Sequence, residues 1–247
     1  MPQPSAPRWS VVIPAYNEAE RLPPYLRDVA AWFDGLDQPY EVIVVDDGST
    51  DGTAAAVLAA QASHPGVTLH RLAVNHGKGF AVRAGMLAAR GDFRLMADAD
   101  GATPIGEMKR LEAAVQAGAD VAIGSRALAD PSVSRQVRLH RKLSGEVFNF
   151  LVRRLGVPGI ADTQCGFKLF RAAAAAALFG ELETAGFGFD VELLLRARRR
   201  GYRVAEVAIN WADQPGSKVG VLKDGPGMLL QIIAARRRVG RADRRRP

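Results

Sequence analysis

Paired carboxylates follow two apolar runs of the sequence, at the point where each run ends. Asp46 and Asp47 close the first run, which starts at Glu41, and Asp98 and Asp100 close the second. Such runs predict buried β-strands, and in an open α/β sheet ligands bind beyond the carboxyl ends of the strands. Carboxylates gathered there repel one another, and a divalent cation with a phosphorylated ligand relieves that repulsion. The pattern predicts an enzyme that handles a nucleoside diphosphate through a metal ion.

Asp98 and Asp100 have the spacing of a metal site, with one small residue between them. In an extended or turn conformation, both side chains can approach one hard cation. Mg²⁺ and Mn²⁺ prefer such oxygen ligands and commonly keep phosphate oxygens and water in their remaining positions. A metal held there acts as a Lewis acid on a departing diphosphate. We therefore expect Asp98 and Asp100 to be metal ligands and catalytic residues, with Mg²⁺ or Mn²⁺ as the cofactor.

Polar residues near the other strands extend this edge of the sheet. Asp46 and Asp47 can accept hydrogen bonds from a nucleoside base or ribose, as the acidic residue of dinucleotide folds does. Glu18 follows the first strand, although a helix cap by Asn17 would explain that pair on its own. Lys78 lies in a Gly-rich turn before a helix, where it could meet a phosphate. The chain has neither a P-loop nor a Gly-x-Gly-x-x-Gly sequence after its first strand, which argues against nucleotide kinases and dehydrogenases.

Strand and helix patterns alternate along the first half of the chain. Apolar runs predict strands, helical periodicity predicts helices, and Thr53 is predicted to cap the second helix. The predicted strands are 10–13, 41–45, 68–73, 93–97 and 120–124, and the predicted helices are 18–34, 53–62, 78–90 and 104–117. Because these strands are uniformly apolar, they indicate an α/β fold with a mostly parallel central sheet and helices on both faces.

The second half combines further elements with basic segments. Strands are predicted at 166–170 and 203–211, and helices at 172–178 and 190–200. The amphipathic segments 133–155 and 224–238 carry basic residues beside an apolar stripe, which suits a membrane surface. We expect one domain over 1–223, which includes the acceptor-side segment 133–155, followed by an amphipathic helix and basic tail over 224–247.

Composition excludes several classes of protein. The 247 residues are 48% hydrophobic and 24% charged, which is ordinary for a globular chain and excludes wholesale disorder. The net charge of +7 suits phosphates or anionic lipid, and the single cysteine, Cys165, excludes an intrachain disulfide. No apolar run reaches the ~20 residues that span a bilayer, and the first residues lack a signal-peptide core. We expect a cytoplasmic protein, peripheral on the inner face of the membrane and without a transmembrane segment.

Taken together and in order, the motifs resemble those of a known family. They are VIPAYNE (12–18), VVDDGSTDGT (44–53), NHGKG (75–79), DADGAT (98–103), GSR (124–126), DTQCGFK (162–168), GFGFDVEL (186–193) and GSK (216–218). The set resembles the inverting family-two glycosyltransferases with the GT-A fold. Within that family it is most similar to the polyprenyl-phosphate sugar transferases, especially those of the dolichyl-phosphate β-glucosyltransferase type.

The resemblance implies roles for the residues that match these motifs. Donor nucleotide binding is implied for Pro14, Tyr16, Glu18 and Asp47. Asp46, Lys78 and the metal ligand Asp98 are expected to bind the donor nucleotide as well. The acceptor phosphate is implied to meet Arg126, Arg141 and Lys142, and the loop that closes over the diphosphate is implied to contain Ser217 and Lys218. Two polar neighbours of Cys165, Gln164 and Lys168, are interpreted as acceptor-side contacts. Mannosyl relatives carry Gln where this chain has Ala102, which weakens the mannosyl assignment and leaves a third metal contact unassigned.

Asp190 has two possible roles. In family members with hydroxyl acceptors, the resemblance implies a general base near this position, because an alcohol must lose its proton during attack. A phosphate monoester has a second pKa of about 6 and needs no strong base. Asp190 could then orient the sugar or a basic partner, and a carboxylate at a helix start is also favoured by the helix dipole alone.

These observations predict inverting transfer of a hexose, glucose from UDP-glucose, to a polyprenyl phosphate at the membrane surface. One alternative is GDP-mannose-dependent transfer to the same class of acceptor, and another is transfer to a lipid or soluble hydroxyl. A non-catalytic basic module would not need the ordered acidic motifs, and a nucleotidyltransferase would need a Gly-rich basic loop after its first strand. The expected partners are the nucleotide sugar, polyprenyl phosphate and an anionic membrane surface, and no aromatic-basic interleaving suggests nucleic acid.

Overall fold

A mixed β-sheet lies at the centre of the protein in the computed structural model, which describes residues 6–36, 38–136, 157–216 and 221–243. The strands are β1 (Trp9–Ala15), β2 (Tyr40–Asp46), β3 (Val67–Arg71), β4 (Phe93–Ala97), β5 (Val121–Ser125), β6 (Arg135–Gln136), β7 (Phe167–Arg171), β8 (Val204–Ala208) and β9 (Trp211–Ala212). Seven of these described strands form one sheet in the order β3-β2-β1-β4-β7-β5-β8, and β6 pairs with β9.

Helices cover both faces of this sheet. They are α1 (Leu22–Asp34), α2 (Thr53–Ser63), α3 (Lys78–Ala88), α4 (Met108–Gln116), α5 (Ala172–Gly180), α6 (Phe189–Arg199) and α7 (Val221–Asp243), with a 3-10 turn (Ile105–Glu107) before α4. One hydrophobic cluster joins α1, α2 and α4 to one face through Val11 and Ile13, and a second joins α3, α5, α6 and α7 to the other through Val12. The predicted α/β class, with helices on both faces, is confirmed.

One strand runs against the others in the middle of the sheet. β1 pairs in parallel with β2 and β4, and β5 pairs in parallel with β8. β7 lies antiparallel between β4 and β5, with Phe167 opposite Ala97. Since β7 begins where β4 ends, the turn before it, with Cys165 and Gly166, lies at the carboxyl end of β4.

Some element boundaries differ from the predicted ones. α1 begins at Leu22 rather than at residue 18, because Asn17 has a left-handed φ of 54° and prolines at the second and third helical positions favour a start there. Thr53 is the first residue of α2 rather than its cap, and its Oγ1 accepts the N–H of Glu18 at 2.7 Å. The single strand predicted over 203–211 divides into β8 and β9, which belong to different sheets.

The C-terminal helix α7 packs against α6 and begins at Val221, three residues before the predicted boundary at 224. The apolar stripe of 224–238, which the sequence assigns to a membrane surface, is buried within the protein at Met228, Ile232 and Ala235, so that prediction is wrong for these residues. The Gln231 Oε1 accepts the N–H of Gly188 at 2.9 Å and fastens α7 to the start of α6. No helix among the described residues combines the length and apolar character that crossing a membrane requires.

Candidate active site

The carboxyl ends of β1, β2 and β4 lie side by side, and the acidic motifs meet there. Ala15 pairs with Asp46 in the register of β1 and β2, and Asp47 follows directly. Asp98 and Asp100 follow the end of β4, the other neighbour of β1. Parallel pairing therefore gathers the four carboxylates at one edge of the sheet.

Asp98 lies between a lysine and a glycine. The Nζ of Lys78 is 2.6 Å from Asp98 Oδ1. On the other side, a Cβ added to Gly166 would stand 2.0 Å from Asp98 Oδ2, so a side chain there would collide with this carboxylate. Although burial lowers the pKa of Lys78, the Asp98 and Asp190 carboxylates raise that pKa above its ordinary value. Lys78 therefore stays positively charged beside Asp98.

Asp100 is held by a backbone amide and an arginine. Its Oδ1 accepts the N–H of Ala102 at 3.1 Å, and its Oδ2 lies 3.7 Å from Nη1 of Arg21. Arg21 also donates to both oxygens of Glu18, at 2.7 and 2.5 Å. Burial raises the pKa of Asp100, and the negative charge of Asp98 raises it further. The carboxylate pair is therefore crowded and only partly neutralised by the protein.

Asp98 and Asp100 fit a divalent cation in both chemistry and charge. Their oxygens are hard ligands, and the raised pKa of Asp100 shows that a second negative charge is unfavourable here until a cation compensates it. Within the described parts of the chain, no set of three or more His, Cys, Asp or Glu side chains could hold a metal ion. The protein would therefore supply two ligands, and diphosphate oxygens and water would supply the others.

Asp46 and Asp47 are buried, and neighbouring turns use their oxygens. Asp47 accepts the N–H groups of His76 and Gly77, both at 2.8 Å, and Asp46 Oδ1 accepts the N–H of Ser49 at 2.9 Å. Asp46 Oδ2 accepts no hydrogen bond among the described residues and forms an ion pair with Arg71, whose Nε is 3.3 Å away. These bonds fix the turn before Lys78 and the turn after β2. The two residues thus shape the donor side of the site, and their direct contact with a nucleoside stays a prediction.

Pro14, Tyr16 and Glu18 come together at the end of β1. Tyr16 is 41% exposed, whereas Glu18 is buried against Arg21. Pro14 is partly buried. Tyr16 therefore offers the largest free surface to a base or ribose, and Glu18 connects this side of the site to Asp100 through their shared arginine.

Arg126 lines a small polar cavity that also reaches Asp98. Its Nε and Nη2 donate to the two oxygens of Asp162 at 2.7 and 2.9 Å. Although burial raises the pKa of Asp162, the Arg126 guanidinium lowers it to about 2. The guanidinium also lies over the Trp211 ring, 5.6 Å from its centroid. The residues around the cavity are Tyr25, Asp98, Ala102, Thr103, Arg126, Gly166 and Trp211.

Lys168 and Asp190 form a buried ion pair. The Lys168 Nζ donates to Asp190 Oδ1 and to the carbonyl of Cys165, each at 2.5 Å. Lys168 has no exposed surface, so the prediction that it contacts the acceptor is wrong in this structure. Burial raises the pKa of Asp190 above its usual range, although Lys168 and Lys78 act in the opposite direction. Gln164, in contrast, is only partly buried and remains a candidate acceptor contact.

Several predicted positions lie outside the described residues. They are Arg141, Lys142, Ser217 and Lys218, together with most of the segment 133–155 and the end of the basic tail. Their proposed contacts with the acceptor phosphate and the diphosphate stay predictions.

Four residues of the site have no functional role predicted from the sequence. Arg21 carries a usable signal, because it lies three residues after Glu18, a spacing at which charged side chains commonly pair. Asp162 belongs to a matched motif, but nothing in the sequence shows that it binds Arg126. Tyr25 follows the apolar periodicity of α1, and Thr103 follows the metal motif without a spacing of its own. Tyr25 and Thr103 line the cavity, and Arg21 and Asp162 hold Asp100 and Arg126 beside it, an arrangement that only the folded chain creates.

The fold and the carboxylate site are those of an enzyme that uses a nucleotide sugar. Residues 10–179 match the family Glycosyl transferase family 2, and the chain belongs to this family. It is similar to the dolichyl-phosphate beta-glucosyltransferase of Dictyostelium discoideum, with 37% identity over 239 residues, 92% of this chain and 73% of that protein. Proteins of the same name from Drosophila melanogaster and Homo sapiens are 41% and 40% identical over 223 residues, 85% of this chain and 68% and 69% of theirs.

Solved structures support the same fold. Glucosyl-3-phosphoglycerate synthase from Mycobacterium tuberculosis, in complex with Mn²⁺, UDP and glucosyl-3-phosphoglycerate, superposes with a TM-score of 0.69 and 21% identity, covering 94% of this chain and 80% of that one. Its complex with Mg²⁺ and UDP gives a TM-score of 0.69 and 20% identity over 94% and 79%. The predicted GT-A fold is confirmed.

Proposed function

We propose that this protein transfers glucose from UDP-glucose to a polyprenyl phosphate, with inversion at the anomeric carbon. The strongest support is its identity of 37–41% to dolichyl-phosphate beta-glucosyltransferases over 85–92% of the chain. The geometry agrees with a two-substrate transfer, since one cavity adjoins both Asp98 on the donor side and Arg126 on the acceptor side.

Asp98 and Asp100 are the residues that would hold Mg²⁺ or Mn²⁺ beside the donor diphosphate. A cation bound there stabilises the negative charge of the departing UDP. The Mn²⁺ and Mg²⁺ complexes of the mycobacterial synthase support this choice of metals. Lys78 and Arg21 lie 2.6 and 3.7 Å from the two carboxylates, so they add positive charge and orient the diphosphate at the same place.

Arg126 is the group that we assign to the acceptor phosphate. A guanidinium has five N–H donors, and Asp162 engages those on Nε and Nη2, which leaves others for an anion. The bidentate pair with Asp162 and the contact with the Trp211 ring fix the Arg126 guanidinium before the acceptor binds. A preorganised cation of this kind holds the acceptor oxygen in line with the donor sugar.

The acceptor requires no proton-abstracting base. A phosphate monoester has a second pKa of about 6, so its oxygen is already anionic at neutral pH. That oxygen forms a bond to the anomeric carbon while the bond from the same carbon to the UDP oxygen breaks, which inverts the configuration. The protein then contributes positioning and charge stabilisation rather than proton transfer.

We further infer that the protein meets its lipid acceptor as a peripheral protein. Its net charge is +7, and Arg236 and Arg237 lie on the exposed side of α7. Basic residues near an anionic leaflet each contribute about 1 kcal/mol, and salt screens this attraction. Binding to vesicles with anionic lipid should therefore decrease as salt is raised. Protein that stays on the vesicles in a high-salt wash would contradict the electrostatic mode of attachment.

A transfer assay tests the reaction. The purified protein is incubated with Mn²⁺ or Mg²⁺, UDP-glucose and a short-chain polyprenyl phosphate, and the glycolipid is identified by mass spectrometry. Matched arms replace UDP-glucose with GDP-mannose, or the phosphate with the corresponding polyprenol. We expect product only from UDP-glucose and the phosphate. Mannosyl product would establish the other donor, product from polyprenol would establish a hydroxyl acceptor, and no product in any arm would refute the transfer.

A further inference from the structure

Lys168 is an unexpected residue for the interior of a sheet. It lies on β7, is fully buried, and binds only Asp190 Oδ1 and the Cys165 carbonyl among the described residues. A buried ammonium is costly unless it is paired, and an apolar side chain of similar size commonly packs as well or better. Packing alone therefore does not account for a lysine here.

The surroundings of Lys168 connect it to the donor side of the site. The carbonyl that it binds belongs to Cys165, and the next residue, Gly166, lies against the Asp98 carboxylate. Its other partner, Asp190, lies in the first turn of α6. Since Lys168 has no exposed surface, it cannot touch a substrate and must act through these neighbours.

One carboxylate oxygen of Asp190, Oδ2, is available to a further hydrogen-bond donor. Its Oδ1 accepts the Lys168 amine, whereas no donor among the described residues binds its Oδ2, and its side chain is 4% exposed. Phe189, the residue before Asp190, packs against Gly79, because a Cβ added to Gly79 would stand 2.7 Å from the Phe189 Cβ. Gly79 follows Lys78, whose Nζ lies 2.6 Å from Asp98, so the start of α6 borders the donor side. A phosphate acceptor needs no base, whereas a donor hexose presents hydroxyl donors that suit a carboxylate oxygen.

We propose that Lys168 is a positioning residue for glucose transfer: its buried ammonium fixes the Asp190 carboxylate through Oδ1, so that Oδ2 accepts a hydrogen bond from a hydroxyl of the donor hexose. This inference rests on the proposed function and deepens it, since it assigns Asp190 to sugar orientation rather than to proton abstraction. Lys168 then serves the reaction without meeting either substrate.

A binding experiment tests the hexose contact without any acceptor. UDP-glucose has the hexose in place of the second charge on the UDP β-phosphate. The ratio of the two Kd values, measured by calorimetry with Mn²⁺, is therefore compared between each variant and the wild type, so that this charge difference is common to both. Lys168→Met removes the charge at similar length, and Asp190→Asn keeps the shape of the carboxylate. We expect each variant to weaken UDP-glucose binding about tenfold while UDP binding is unchanged. An unchanged ratio in both variants would overturn the proposal.

Kinetics of the double variant separate positioning from stability. We expect Lys168→Met and Asp190→Asn each to lower kcat about 100-fold, since small displacements of reacting groups have effects of this size. Removing both charges should restore the melting temperature towards that of the wild type, whereas kcat should stay at the level of Asp190→Asn. If kcat of the double variant recovers together with its stability, Lys168 has a structural role only. If kcat of the double variant falls by the product of the two single losses, Lys168 acts independently of Asp190.

Two further variants complete the test. Arg171→Met removes another cation from β7, one that donates to the Ala119 and Val115 carbonyls at the opposite end of the strand. It should lower stability and leave kcat and the Kd ratio unchanged. A ratio that changes as much as in Lys168→Met would contradict a specific role for Lys168. Lys168→Arg keeps the charge and should retain more activity than Lys168→Met.

The outcome for Lys168 is separable from the outcome for the proposed function. If the wild type makes no glucosyl lipid, the proposed function fails, and the Kd ratio still decides whether Lys168 positions Asp190. If Lys168→Met does not fold, the Kd ratio and kcat of Asp190→Asn are compared with those of the double variant, which leaves no buried charge unpaired. Equal values in these two variants would support the proposal.

Discussion

Carboxylates lie at both ends of the parallel strands, but the two sets are bonded differently. At the amino end, Glu41 on β2 accepts the Ser10 hydroxyl at 2.6 Å, the Arg90 N–H at 2.7 Å and the Arg90 guanidinium at 2.9 Å. At the carboxyl end, Asp98 and Asp100 lie together with one lysine and one shared arginine near them. The first carboxylate is saturated with donors, and the second pair is not.

The pKa values of these groups move in opposite directions. Although burial raises the pKa of Glu41, its bonds to Ser10 and Arg90 hold that pKa below the usual range. Burial and Asp98 together raise the pKa of Asp100. A lowered pKa marks a carboxylate that stabilises the fold, whereas a raised pKa marks one that gains from a ligand. The number of donors around a carboxylate thus distinguishes the structural acid at one end of these strands from the functional pair at the other.

The largest effect is expected at the carboxyl end. Asp100→Asn should lower the rate of glucosyl transfer about 100- to 1000-fold, because the metal site loses a ligand charge. Its melting temperature should be unchanged or higher, since the variant removes one of two like charges. Mn²⁺ with UDP should raise the melting temperature of the wild type and not of the variant. A destabilised but active variant would break the comparison.

The opposite result is expected at the amino end. Glu41→Gln replaces a saturated carboxylate with an amide that cannot accept from both Ser10 and the Arg90 guanidinium, and should lower the free energy of unfolding by about 3 kcal/mol. Urea denaturation measures this loss. The kcat of the folded variant should equal that of the wild type, and a reduced kcat would show that the two ends are coupled.

Asp162 sharpens the comparison, because it lies at the functional end but is bonded like Glu41. Its folded pKa of about 2 lies below the unfolded value of about 3.9, so it stabilises the fold above about pH 4, and this contribution is lost as the pH falls to about 2. Asp162→Asn should lower stability by about 2 kcal/mol at neutral pH and flatten its dependence over that interval. Urea unfolding at several pH values measures both.

The same variant should also raise the KM for polyprenyl phosphate, because Arg126 loses the partner that fixes its head group. The KM for UDP-glucose serves as the internal control and should change less. Equal changes in both values would indicate that Asp162 has no specific link to the acceptor side.

The smallest effect is expected where a charged pair lies on the surface. Glu181 forms an ion pair with Arg200 that lowers the pKa of Glu181, but both side chains are partly exposed. Arg200→Met should change the free energy of unfolding by no more than about 0.5 kcal/mol, because solvent screens such pairs. A loss as large as that of Glu41→Gln would show that donor geometry matters more than burial.

The elements around the acidic motifs were predictable, because buried parallel strands are continuous apolar runs. The runs 41–45 and 93–97 correspond to β2 and β4 with boundaries that agree to within a residue. The direction of β7 was not predictable, since an apolar strand reads alike in either direction. Neither was the packing of α7 on α6, because an amphipathic stripe can be covered by protein or by lipid.

The candidate site divides in the same way. The Asp98 and Asp100 pair was predicted from its spacing together with its place after a buried strand, because one intervening residue lets both carboxylates approach one cation. The burial of Lys168 contradicts its expected exposure, since lysines are rarely buried and the sequence does not show the Asp190 partner that makes burial tolerable. A carboxylate partner from a distant segment is invisible to local spacing.

By itself, the sequence determined which residues end the strands and therefore which carboxylates gather at one edge of the sheet, because side-chain hydrophobicity and local turns are properties of neighbouring residues. The tertiary structure alone decided which charges those carboxylates meet. Lys78, Arg21, Arg126 and Lys168 each find an acidic partner through the packing of the fold. Charge interactions depend on distance and burial, and for residues far apart in the chain only folding sets either one.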